Sequence, residues 1–316
     1  MNRITWHRPL IALAIGMAVL AVASIIGAIV DPREVGGVNL WLKPLKFALS
    51  IGIYCVSLAW VIGLLGERRR RLANVVGTVS VIGLVIEVVI IVGAAIFGLA
   101  SHFNVSTPFH SALWSVMAVS IVVVWIMALI VTFSLFRTDL GDRARTCAIR
   151  AGAVIAIIGM GLAFLMTSPS AQQLADFQGV AGAHAVGIAD GGPGLPLLGW
   201  STVAGDLRIP HFIGMHALQV FPLLVIALER IVASALVRAR LIVIAIVAYA
   251  GTIAVLTWQA LSGQSIVRPE GGVLVAGVTL AVASIVAAVV VLAVRPRADI
   301  GGKTPKVAAP FAETAS

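Results

Sequence analysis

The stretch ERRRRLANVVGTVSVIGLVIEVVIIVGAAIFGLASHFN, residues 67–104, decides the fold class. Arg68 to Arg71 close one side of it and His102 the other, with an apolar run over Ala73–Ala100 between them. A helix needs about 20 mostly apolar residues to cross a hydrocarbon core of roughly 30 Å, and this run exceeds that. At its centre stands one glutamate, Glu87, the only acidic side chain near the middle of any predicted span.

Seven further runs of the same kind flank it, giving predicted spans over Pro9–Val30, Phe47–Leu65, Ala73–Ala100, His110–Phe136, Ile149–Thr167, His211–Ser234, Leu241–Ser262 and Gly272–Val294. In a 316-residue chain with 60% hydrophobic and 11% charged residues, no room is left for a separate soluble domain. The expected fold is all-α, a polytopic transmembrane helix bundle forming one domain over residues 1–294, with a disordered Ala-, Pro- and Lys-rich tail at 295–316. The first run follows Arg3 and Arg8 but ends in Asp31-Pro32-Arg33 without a small-x-small cleavage site, so it reads as a retained anchor rather than a secretory signal.

Cationic loops stay in the cytoplasm. With the N-terminus inside, the inner segments collect Arg3, Arg8, Arg68 to Arg71, Arg137, Arg143, Arg145, Arg150, Arg230, Arg238, Arg240, Arg295, Arg297, Lys303 and Lys306, most of the chain's 22 cations. Both termini are therefore expected in the cytoplasm, with an even number of spans. The net charge of +9 belongs to these loops and not to a nucleic-acid surface, because no basic domain stands outside them. His7, beside Arg8, reads as an interfacial cation. Cys55 and Cys147 differ in depth and should not pair.

Most connections are short, but residues 168–210 form a long outer segment with the run Asp190-Gly-Gly-Pro-Gly-Leu-Pro196. A loop of that length is uncommon without a function. Its Leu195, Leu197, Leu198 and Trp200 argue against a solvated linker, and Ser170 to Gln178 suits a short surface helix. It reads as a lid over the outer mouth. Leu42-Lys-Pro-Leu-Lys-Phe47 and Leu207-Arg-Ile-Pro-His-Phe212 open the second and sixth spans alike, with a proline in the first turn beside a cation. This is the pattern of two four-span parallel repeats.

An ionisable group at mid-membrane is costly and is by default a functional hypothesis. Gly83, Glu87, Ile91, Ala94 and Gly98 follow helical spacing, a mostly small face suited to close helix approach, so Glu87 is expected to point into the bundle as a proton relay or counter-charge. At the outer ends of the spans lie His102, His110, His211 and His216, with His184 in the lid. His211 and His216 are five apart, about 140° around a helix, so they cannot share one ion. A shared site needs a histidine of the sixth span, above all His216, and one of the turn, above all His110, with Asp206 or His184 as a further ligand. Such a site suits a transition metal or haem b between two imidazoles. Arg33, Lys43, Lys46 and Arg208, at the same level, could pair with haem propionates or another anion.

Gly182-Ala-His184, the run 190–196, Gly199-Trp-Ser-Thr202, Gly205-Asp-Leu-Arg208 and His211-Phe-Ile-Gly-Met-His216-Ala-Leu-Gln219 resemble a group of uncharacterised bacterial multi-span membrane proteins, as do Ser101-His-Phe-Asn104 and Thr107-Pro-Phe109. The resemblance covers about a third of the chain. It implies a membrane fold and carries no activity, cofactor or substrate. The Ala-, Val- and Arg-rich usage fits a GC-rich bacterium and hence its plasma membrane. Two classes of function follow: a redox protein with haem or metal at the His/Asp/Arg cluster, or a proton-coupled transporter or sensor of a small anionic solute that uses Glu87. No HExxH or GxSxG hydrolase motif is present.

Overall fold

The computed structural model describes residues 6–35 and 37–294; the expected disordered tail lies outside the described residues. Among the described residues, eight helices are long and apolar enough to cross a membrane. They are α1 (Arg8–Val30), α2 (Leu42–Gly63), α3 (Arg70–Ile96), α4 (Pro108–Leu135), α5 (Arg143–Gly161), α7 (Arg208–Ile231), α8 (Ala235–Leu261) and α9 (Gly271–Ala293), with a five-residue α6 (Ala171–Ala175) in the lid. The chain is a multi-pass membrane protein whose outer surface contacts lipid.

The helices begin up to six residues before the apolar runs do, because capping chemistry and not hydropathy sets their starts. Asp142 accepts the Arg145 N–H at 2.8 Å and so starts α5 at Arg143. Thr107 accepts the His110 N–H at 3.2 Å, and Pro108 sits in the first turn of α4. At the other end of α3 the helix stops at Ile96, short of Ala100, since Gly98 takes a left-handed φ of 67°. His7 corrects its expectation as an interfacial cation. Its ring is buried against Gly77, Nδ1 accepts the Leu10 N–H at 3.4 Å to cap α1, and burial holds its pKa below the ordinary value.

Two packed clusters divide the bundle. One draws mainly on α1 to α4, around Leu10, Cys55, Val76, Val124 and Leu135. The other joins α5, α7 and α8 around Ala148, Ala217, Phe221 and Ile242. In lipid, helices associate through close packing rather than hydrophobic transfer, so small residues mark the tightest contacts. Gly159 of α5 meets Gly214 of α7 with the two backbones touching; any side chain at Gly159 would collide with the Gly214 backbone. Across the division, Gln219 of α7 donates through Nε2 to Ser57 Oγ of α2 at 2.8 Å. Trp125 of α4 donates through Nε1 to the Ile157 carbonyl of α5 at 3.1 Å.

The two hexapeptides with similar sequences open their helices in the same way. Trp41 and Leu207 occupy the capping positions in helical conformation, and Pro44 and Pro210 sit buried in the first turns of α2 and α7. α7 then runs without a break through Pro222.

Candidate functional site

The lid is folded down over one end of the bundle. Ser170 caps α6, with the Gln173 side chain returning a bond to the Ser170 N–H. A two-residue antiparallel ladder pairs Ala185–Val186 with Gly205–Asp206. A second contact fixes the lid to the segment after α3: Asn104 pairs with Val180, and the Ala181 N–H donates to the Phe103 carbonyl at 2.9 Å. Phe103 takes φ 61°, a left-handed conformation costing a non-glycine residue about 1–3 kcal/mol. Its ring is held in a small cluster with Met166, Leu207 and Ala260, edge-on to Trp114 and 5.0 Å from the His184 ring. Gly182 packs so closely on Phe103 and the Met166 carbonyl that a methyl there would clash with both.

This folding returns His102 to the bundle. Glu87 lies nine residues before the end of α3, about 13 Å down the helix, yet His102 Nε2 stands 3.4 Å from Glu87 Oε1. The left-handed turn at Gly98, between the two residues, lets the chain fold back. Glu87 is 2% exposed, as expected from its face, and a methyl at Gly83 would press on Val124 and Ser120 of α4. The buried stripe continues through Ile91 to Ala95, since Gly98 lies beyond the helix. Glu87 Oε2 is buried and has no hydrogen-bond partner among the described residues. Phe47, Phe103 and Trp114 surround the imidazole of His102. Burial first, then the positive Lys43 and the nearby His184, hold its pKa well below the ordinary value, so His102 is neutral.

The other predicted site residues divide into those committed to structure and those left open. Asp206, 1% exposed, accepts the backbone N–H of Ser201 at 2.8 Å and of Arg208 at 3.0 Å, and its carboxylate pairs with the Arg208 guanidinium at 2.6 Å. Arg208 also donates to the Gly199 carbonyl, and Lys46 donates to the Leu198 carbonyl at 3.3 Å, so both fasten the lid. Arg33 pairs with Asp31 at 2.7 Å in the α1–α2 connection. Of the four cations expected to meet an anion, Lys43 alone makes no hydrogen bond or ion pair with a described residue. It lies within electrostatic reach of Glu87 and Asp190.

The histidines are dispersed. His110 bonds within its own helix cap, to Ser106 Oγ at 3.2 Å and Thr107 Oγ1 at 3.0 Å. His211 donates from Nδ1 to the Gly159 carbonyl at 2.8 Å, and His216 meets Gln219 Oε1 at 3.2 Å. No bond joins His110 to His216. Among the described residues no three His, Cys, Asp or Glu side chains are grouped to hold one metal ion. In the lid, His184 Nδ1 is 2.6 Å from Asp190 Oδ2. Burial would raise the Asp190 pKa, but hydrogen bonds from the His184 side chain and the His184 and Ala185 N–H groups outweigh it and lower the value to about 2.

Sequence reasoning missed the Glu87–His102 pair because it treated the span and the turn as separate levels. The readable signal was Gly98, a residue free to take the left-handed turn that ends α3 between them. The chain matches no protein-family model, no curated protein and no solved structure.

Proposed function

We infer that this is a proton-coupled protein of a bacterial plasma membrane, a transporter or sensor in which Glu87 takes up and releases a proton as a small anionic solute binds under the lid. The observation that carries this reading is the half-satisfied Glu87, with one oxygen against His102 and the other buried without a partner. A buried carboxylate is costly and is kept satisfied when its role is structural. Lys43, without a protein partner among the described residues, supplies the positive charge for an anion within reach of Glu87. An anion arriving there repels the Glu87 carboxylate and favours its protonated form, so solute entry and proton uptake run in the same direction. His102 Nε2, between Glu87 and the lid, is placed to pass that proton.

The test is proton flux into liposomes holding a pH-sensitive dye, with a panel of small carboxylates and inorganic phosphate as solutes. Glu87→Gln should abolish solute-dependent proton entry, and His102→Gln should slow it about 100-fold, with both proteins still inserted. Wild-type flux in Glu87→Gln would overturn the reading.

One observation favours a second reading, in which the same end of the bundle binds haem b. His216 commits Nδ1 to Gln219 Oε1 at 3.2 Å, which is how protein holds an axial imidazole while leaving Nε2 for iron. A Soret band with sharp bands on dithionite reduction, lost in His216→Ala, would establish it. A colourless, folded preparation would remove it.

A further inference from the structure

At the opposite end from the lid, a cleft of about 230 Å³ opens between the start of α3 and the end of α4, lined by Arg69, Leu72, Phe133, Ser134 and Arg137. We propose that this cleft binds the phosphate group of an anionic phospholipid between Arg69 and Arg137. Arg69 is already oriented, because its guanidinium donates to the Ser134 carbonyl and so presents its remaining N–H groups to the cleft. Arg137 is exposed, and its guanidinium bonds to no described residue. Two acids lie two residues away along the chain, and neither lines the cleft: Glu67 is paired with Arg70 at 3.3 Å, and Asp139 accepts the Gly141 N–H at 3.0 Å. Guanidinium groups match the oxygens of a phosphate diester in geometry as well as charge.

The apolar walls point to a lipid rather than a free ion. Phe133 is 73% exposed on a membrane-spanning helix, directly beside the two arginines. A phosphate seated between them sets its acyl chains along Phe133 and Leu72, at the depth where hydrocarbon begins. The volume equals roughly eight water molecules at about 30 Å³ each, room for a glycerophosphate head. Basic pockets between helix ends are a recurrent setting for anionic headgroups.

The experiment follows thermal unfolding of the full chain in dodecyl maltoside while phosphatidylglycerol, phosphatidylcholine or inorganic phosphate is titrated in. Phosphatidylglycerol should stabilise the wild type in a saturable way, and the other two should not. Arg137→Gln should weaken the apparent affinity about fivefold, the share of one basic residue at a headgroup. Arg143→Gln, an exposed cation at the same end but outside the cleft, should leave it unchanged. Arg69→Gln is the less direct variant, since it also releases Ser134. Equal losses in Arg137→Gln and Arg143→Gln would reduce the effect to general surface charge and overturn the site. Equal stabilisation by phosphatidylcholine, or by inorganic phosphate at the same concentration, would overturn it as well.

Discussion

Asp206 and Glu87 are both acidic and both almost wholly buried, at 1% and 2% exposure, yet they are treated in opposite ways. Asp206 receives two backbone N–H groups and a bidentate guanidinium, so its charge is fully met within residues 201–208. Glu87 has one long contact to a neutral imidazole and one oxygen with nothing to bind among the described residues. The first arrangement is a latch, since both carboxylate oxygens are tied to partners in the lid and at the start of α7. The second has somewhere to go: a proton, a solute or a moved side chain would each satisfy it. Burial alone does not distinguish structure from function; the count of partners does.

The largest effect should come from breaking the latch. Asp206→Asn leaves the half-buried Arg208 without its counter-charge and two backbone N–H groups with a weaker acceptor; loss of one partner costs about 3–5 kcal/mol in a fully buried pair, and the partial exposure of Arg208 puts this one at the low end. Thermal unfolding in detergent should show that loss, and limited proteolysis should cut within residues 187–200 as the lid lifts. Glu87→Gln should behave in the reverse sense. It removes a poorly solvated carboxylate while keeping the shape, so unfolding should shift by less than about 1 kcal/mol although proton flux is lost. If Glu87→Gln proved as destabilising as Asp206→Asn, the two carboxylates would be of one kind and the contrast would fail.

Much of the fold was legible because hydropathy is a local property. Eight apolar runs give eight helices, and the placement of Glu87 on a small face of α3 follows from Gly83 and Ile91 at helical spacing. The short helix after Ser170 and the shared opening of α2 and α7 are also local, set by a capping serine and by first-turn prolines. What was not legible depends on backbone turns in irregular segments. Nothing in the periodicity says that Phe103 adopts a positive φ or that His184 of the lid packs on its ring, and the left-handed turn at Gly98 that brings His102 back to Glu87 is equally outside it. Arg208 and Lys46 read as anion ligands because charge is visible in a sequence while the carbonyls of Gly199 and Leu198 that receive them are not.

Acidification tests the contrast at intermediate strength. His102 is neutral in the folded protein because its folded pKa lies below the unfolded value of about 6.5. Its contribution is fully present above pH 6.5 and is lost as pH falls from there toward the folded pKa, at up to about 1.4 kcal/mol for each unit of difference. Relative to the wild type, His102→Gln should therefore gain stability between pH 7 and pH 5. A wild type that instead gained on the variant over the same interval would mean that His102 charges against Glu87 and the pair is a latch after all. The smallest effect belongs to the lid's edge. Lys46→Ala removes one bond to the Leu198 carbonyl at 3.3 Å, worth about 0.5–1.5 kcal/mol for a half-buried donor. Since the Asp206–Arg208 pair still holds the base of the lid, proteolysis within 187–200 should quicken only slightly in this variant. A Lys46→Ala protein cut as fast as Asp206→Asn would show that the lid hangs from its tip and not from the buried carboxylate.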